Sequence, residues 1–181
     1  MKKILLILAD GFDEIEALGT ADILRRLDLD VTLAALKPGE VTGAHGMKIV
    51  ADALLSDVKK EYFDAVVLPG GMPGSANLDE SADVSEVLQT ADANEAVIAA
   101  ICAAPFVLAK RGLLNGKTFT MYPGFDSELG GLQYTSNPAE TSGRIVTGKG
   151  PGAVFAFAKA VAAALGLESE CKTLYQGMFI D

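Results

Sequence analysis

The sequence predicts an α/β fold: a mostly parallel, doubly wound sheet with helices on both faces, flavodoxin-like or Rossmann-like in class. Three observations carry this prediction. Short aliphatic runs alternate with helical patterns along the whole chain. Several of those runs are continuously apolar, as strands buried on both faces are. The chain has 181 residues, half of them hydrophobic, enough for one sizeable core and too few for two, so residues 1–181 are expected to form a single domain.

Taken in order, Lys3 to Ala9 is an aliphatic run closed by Asp10-Gly11 and reads as the first strand. Asp13 to Leu27 has helical spacing. Asp30 to Leu36 is the second strand, and the polar, glycine-containing stretch Lys37 to Lys48 reads as a hairpin or extended loop. Asp64 to Leu68 is the third strand and runs into Pro69-Gly70-Gly71; Ser81 to Ala91 is a helix. Asn94 to Ile101 is the fourth strand, followed directly by a helical pattern from Ala103 to Arg111. A second polar excursion spans Gly124 to Ser142, and Arg144 to Thr147 is the last strand. The final pattern, Gly152 to Leu165, opens with Gly150-Pro151-Gly152, where proline suits a first helical turn.

Composition narrows the function. Fifteen Lys and Arg stand against 24 acids, a formal charge of -9, and the basic residues do not cluster, so neither nucleic acid nor an anionic membrane is an expected partner. The apolar run from Ile4 to Ala9 is far shorter than the ~20 residues a bilayer span needs and lacks a cleavage pattern, so a cytoplasmic protein is expected. Two cysteines and one histidine, His45, form no zinc-binding spacing, and neither a metal nor a cofactor is expected. Cys171, in a charged C-terminal segment that reads as exposed, is taken as incidental, and a disulfide to Cys102 is not expected.

In an open parallel sheet the ligand crevice lies beyond the carboxyl ends of the strands. Three such ends carry chemistry: Asp10 to Glu16 after the first strand, Pro69 to Gly74 after the third, and Cys102 after the fourth. Cys102 sits where a strand turns into a helix, so its side chain projects from the strand end while the following amides favour negative charge, which predicts a thiolate at neutral pH. The other reading is a structural cysteine behaving as a small hydrophobe. The segment alone does not separate the two.

On the first helix Glu16, Gly19, Thr20, Ile23, Leu24 and Leu27 share one face, which puts a carboxylate on the buried stripe. Its pKa is expected to rise by desolvation and by a neighbouring thiolate, leaving a protonated Glu16 to hydrogen-bond the Cys102 sulfur. Asp13 and Glu14 are expected only to complement the helix dipole. Gly70-Gly71 is either an ordinary tight turn or a place where backbone approaches the crevice. If the strand ends converge, the Gly71 and Ala103 amides can bind an oxyanion formed by attack of Cys102. Thr147 to Gly152 matches neither the Walker pattern nor the dinucleotide fingerprint and reads as a strand-to-helix turn, with Lys149 a candidate for the crevice.

These residues together resemble the ThiJ/PfpI superfamily, and within it the Parkinson-disease protein deglycase branch, which is glyoxalase III-like. The matching motifs are Leu8-Ala9-Asp10-Gly11 with Glu14 and Glu16, Val67 to Gly71, Ala99 to Pro105, and Gly150-Pro151-Gly152, in order and nearly end to end. The resemblance implies a flavodoxin-like, class I glutamine amidotransferase-like three-layer sandwich, and a homodimer. It implies Cys102 as the nucleophile and redox-sensitive thiol, with Glu16 as its hydrogen-bonding partner. Three departures matter. Tyr122-Pro123 stands where many members have His-Pro, and a phenol is a poor base at neutral pH. Ala103 stands where the peptidase members place a histidine, which argues against an intracellular peptidase. His45 stands where the family carries an arginine near the neighbouring subunit's site, so a contribution in trans is conceivable.

The leading expectation is a glutathione-independent glyoxalase or deglycase-type enzyme acting on methylglyoxal, glyoxal or early glycation adducts. Cys102 and Glu16 are catalytic, the Gly71 and Ala103 amides form the oxyanion hole, and Gly70, Tyr122, Lys149 and His45 are candidate lining residues. The alternative is a redox-sensing or chaperone-like stress protein whose cysteine is oxidised rather than turning over.

Overall fold

The computed structural model describes residues 1–180. The chain runs β1 (Lys3–Leu8), α1 (Glu14–Arg26), β2 (Asp30–Ala35), β3 (Glu40–Thr42), β4 (Lys48–Val50), β5 (Ala53–Leu54), α2 (Leu55–Val58), β6 (Ala65–Leu68), α3 (Gly74–Glu80) and α4 (Ala82–Ala93). It continues with β7 (Val97–Ile101), α5 (Pro105–Lys110), β8 (Ala139–Ser142), β9 (Ile145–Gly148), α6 (Val154–Ala164) and α7 (Glu168–Gly177). Seven strands form one sheet in the order β5-β2-β1-β6-β7-β9-β8. All its pairings are parallel except β8 with β9, so the three-layer, mostly parallel architecture is as expected. The antiparallel β3–β4 pair makes the excursion read as a hairpin or extended loop over Lys37 to Lys48 a hairpin, which runs on to Val50.

The period-two geometry of a strand sends successive side chains to opposite faces, so an unbroken aliphatic strand must serve two cores. It does. Ile4, Leu6 and Leu8 pack with Ala17 and Leu24 of α1, with Phe157 and Val161 of α6 and with Tyr175 of α7. Leu5 and Ile7 pack on the other face with Leu78 of α3, Val87 and Leu88 of α4, and Val107 and Leu108 of α5. Ala17 and Ala21 of α1 belong to the same core as Ile4, Leu6 and Leu8.

Two expectations need correction. Cys171 is fully buried, not exposed: it lies on α7, a helix absent from the sequence prediction, whose sparse apolar positions Cys171, Leu174 and Tyr175 close over the core beside α6. Tyr175 fastens that helix by donating its hydroxyl to the Phe155 carbonyl at 2.6 Å. The helix after Cys102 also starts later than expected: Cys102 to Ala104 form a turn and the six-residue α5 begins at Pro105. Proline lacks the amide that a helix interior needs and is tolerated at a first turn, so it sets that boundary. Both cysteines are free thiols.

Candidate active site

The carboxyl ends of β1, β6, β7 and β9 lie side by side, and the loops that leave them build the site. Asp13 caps α1, its carboxylate accepting the Glu16 amide at 3.1 Å. One turn in, Glu16 is entirely inaccessible to solvent. Its Oε2 accepts the Gly70 amide at 2.8 Å, while the Gly70 carbonyl accepts the Asp13 amide at 2.9 Å. The start of α1 and the turn after β6 are therefore stitched by two reciprocal bonds.

Gly70 has no room for a side chain. A Cβ there would stand 2.5 Å from the Cys102 Cβ, 2.6 Å from Glu16 Oε2 and 2.8 Å from the Ile101 carbonyl. The glycine thus lets thiol, carboxyl and backbone converge. Gly71 adopts a φ of 90°, in the left-handed region, and a Cβ on it would meet the Asp13 amide nitrogen at 2.4 Å. Gly70→Ala is expected to cost about 1–3 kcal/mol in urea unfolding, as overpacking of a well-filled interior does. An unchanged midpoint would show that these three groups are not in mutual contact.

Cys102 has a φ of 65°, unusual for a residue with a side chain and costing roughly 1–3 kcal/mol. Its neighbours hold it there: its amide donates to the Gly148 carbonyl at 2.9 Å, and its carbonyl accepts the Tyr122 amide at 2.9 Å. The Gly71 and Ala103 amides draw the thiol's pKa down. Burial outweighs them, and the charge of Glu16 adds to burial, so the thiol is pushed well above its ordinary value while Glu16 is ionised. With α5 short and late, two amides work against both desolvation and a neighbouring carboxylate, so the charge of Cys102 is tied to that of Glu16. Glu16 is itself pushed up to about 7, first by burial and then by the charge of Asp13, although bonds from Cys102 and Gly70 oppose the rise. Its Oε1 has no hydrogen-bond partner within the described residues. The two groups are coupled and titrate as a unit, which loses the first of its two protons near pH 7.

The structure thus brings Cys102, Glu16, Gly70, Gly71 and Ala103 together. Tyr122 is tied to the elbow by its backbone, and its half-exposed ring lies over Gly150, where an added Cβ would come within 3.2 Å of it. Lys149 lies on the same side, its amide donating to the Pro138 carbonyl. His45 is not joined to Cys102 or Glu16 within this chain. Its exposed ring bonds Glu14 at 2.8 Å, which raises its pKa.

Sequence reasoning missed the role of Glu14, which is buried rather than a solvated helix-end acid: it takes the amides of His45 at 2.8 Å and Met47 at 3.3 Å and holds the β3–β4 hairpin against α1. Also missed was Thr147, a polar residue in an apolar strand, whose hydroxyl accepts the Thr120 amide at 2.9 Å and anchors the segment leading to Tyr122. Among the described residues no acid, histidine and cysteine cluster is arranged to hold a metal, and no helix is long and apolar enough to cross a membrane.

A family model described as DJ-1/PfpI matches residues 2–164. The chain belongs to the DJ-1/PfpI family. Protein dj-1beta of Drosophila melanogaster is 37% identical over 182 residues, spanning 99% of this chain and 97% of its own. Its crystal structure superposes with a TM-score of 0.94 at 36% identity, covering 99% of this chain and 98% of that one. The glutathione-independent glyoxalase DJR-1.2 of Caenorhabditis elegans is 36% identical over 86% of this chain and 83% of its own. A deglycase of Pyrococcus abyssi is 30% identical over 86% and 94%. The expected DJ-1 branch of the superfamily, and its flavodoxin-like, class I glutamine amidotransferase-like fold, are what these comparisons show.

Proposed function

We propose that this protein is a glutathione-independent glyoxalase or deglycase-type enzyme that acts on methylglyoxal, glyoxal or early glycation adducts through Cys102. One observation carries the reading: a thiol, a fully buried carboxyl that titrates near pH 7 and two backbone amides meet at one point. A purely structural cysteine requires none of the other three. Relatives named as a glyoxalase and a deglycase support the same class of activity.

The chemistry follows from the shared proton. Cys102 Sγ attacks the aldehyde carbon as its proton passes to Glu16, and the oxyanion that forms lies against the Gly71 and Ala103 amides. Glu16 returns the proton to that oxygen and completes a hemithioacetal. As carboxylate again, Glu16 takes the hydrogen from the former aldehyde carbon, a proton passes between the two oxygens of the enediol, and Glu16 delivers its proton to the adjacent carbon. The product is the thioester of an α-hydroxy acid. Water cleaves the carbon–sulfur bond, its hydroxyl staying on carbon and its proton returning to the thiolate. The sum is oxoaldehyde plus water giving α-hydroxy acid, with no net oxidant and no glutathione. A carboxyl near neutrality serves as both acid and base, so the cycle has no step that requires the histidine replaced by Tyr122.

The deciding experiment incubates purified protein with methylglyoxal, without glutathione, and counts lactate formed per chain. Many equivalents are expected. Consumption of one equivalent with no lactate would overturn the enzymatic reading in favour of a thiol that reacts once, as a sensor does.

A further inference from the structure

Next to the elbow lies a cavity of about 360 Å³ that the proposed reaction on methylglyoxal does not use. Tyr122, Pro123, Pro138, Lys149 and Pro151 form its walls. It is rooted in both backbone bonds that hold the nucleophile: Tyr122 donates its amide to the Cys102 carbonyl, and Gly150 follows Gly148, whose carbonyl takes the Cys102 amide, at a distance of two residues. Cys102 and Glu16 do not line it, so it is positioned for the part of a substrate that does not react.

We propose that this cavity is a tail subsite selecting α-oxoaldehydes with a planar, apolar tail that ends in an anion. The proposal rests on the glyoxalase-type reading and names its substrate class. Size argues first, because methylglyoxal has a handful of heavy atoms, whereas cavities of roughly 300–1,000 Å³ hold ligands several times larger. Wall chemistry argues second: a phenol ring and three prolines present flat apolar faces, and such faces recognise a planar ring by stacking and by excluding water. Charge argues third. Lys149 is the one charged residue on the wall, its ammonium reaches only the Ser136 carbonyl at 3.2 Å, and no carboxylate partners it among the described residues. In a chain of net charge -9, a cavity wall whose one charge is an ammonium without a carboxylate partner complements a carboxylate on the tail. The wall is also firmly held. Thr120 Oγ1 donates to the Thr135 and Asn137 carbonyls, and the Lys149 amide bonds Pro138, so the segment carrying Ser136 and Pro138 is fixed against β9 before any ligand arrives.

The test compares methylglyoxal, phenylglyoxal and para-carboxyphenylglyoxal by kcat and KM. Phenylglyoxal is expected to exceed methylglyoxal about tenfold in kcat/KM, through KM. The para-carboxylate is expected to add about fivefold, the range of a solvent-accessible ion pair. Lys149→Met should bring the carboxyphenyl-to-phenyl ratio to about one. Tyr122→Ala should erase most of the phenyl-to-methyl ratio, and Tyr122→Phe should keep it because the ring face makes the contact. Equal kcat/KM for the three aldehydes in the wild type, or ratios that survive Lys149→Met and Tyr122→Ala, would overturn the proposal. A separate arm titrates the unreactive product analogue para-carboxymandelate by calorimetry. Binding weakened by Lys149→Met supports the subsite even if no aldehyde is turned over, which would count against the enzymatic reading alone. Absence of binding up to millimolar analogue rejects the subsite even if methylglyoxal is turned over rapidly.

Discussion

Cys102→Ser is expected to lower kcat/KM for methylglyoxal by at least about 10³-fold, the scale on which removal of an activated nucleophile acts, while thermal unfolding stays within about 0.5 kcal/mol of the wild type. The large effect follows from what the pocket lacks. A serine hydroxyl needs a stronger base than a thiol, because its proton is held more tightly. The one histidine, His45, is on the surface and bonded to Glu14, and a carboxyl held near pH 7 is a weak base for a hydroxyl. The small effect on stability follows because serine is nearly isosteric, and the left-handed backbone at 102 is held by the Gly148 and Tyr122 bonds, which involve no side-chain atom of Cys102. Steady-state lactate formation and differential scanning calorimetry on the two proteins check both halves. Retention of activity within tenfold would remove Cys102 from the chemistry and with it the reading of the site.

How much of this was legible beforehand depends on which interactions are local. The strands declared themselves because both faces of β1, β6 and β7 are buried, leaving aliphatic runs with no polar interruption. The convergence of Glu16, Gly70-Gly71 and Cys102 was equally legible, since a parallel sheet puts those strand ends on one edge. The helix α7 was not: its first turn is acidic, its apolar positions are few, and its packing against α6 is a tertiary fact that periodicity alone does not announce. The ionisation state of Cys102 is illegible in the sequence for a related reason. An elbow followed by a helical pattern suggests positive potential, but whether amides or desolvation win depends on how deep the sulfur lies and whether a carboxylate shares its pocket. Glu14 shows the same limit in reverse. As an acid in a first turn it has an adequate local explanation, and only the folded chain reveals that a hairpin some thirty residues away lies on it.

Glu16→Gln is expected to move activity and stability in opposite directions, and pH separates the two effects. For activity, glutamine can still accept the Gly70 amide but cannot take or return a proton, so turnover should fall about 10²–10⁴-fold. In the wild type kcat/KM should rise with pH through about 7, as the doubly protonated pair loses its first proton. The residual activity of the E16Q variant should lack that limb. For stability the sign is fixed by the folded pKa, which is raised from an ordinary 4.5 to about 7. The folded state then binds more protons than the unfolded chain between those values, so wild-type stability is complete below about 4.5 and declines as pH climbs to 7 and beyond. The loss is on the order of 3 kcal/mol, because burial penalises the ionised carboxylate. A neutral amide of the same shape escapes it. E16Q should therefore match the wild type in urea unfolding at pH 4.5 and exceed it by a few kcal/mol at pH 8. If instead the variant is less stable at pH 8, the carboxylate is stabilised by its surroundings and is no proton shuttle. The gain expected at alkaline pH measures what the fold gives up to hold a carboxyl beside Cys102 at the proton affinity the reaction uses.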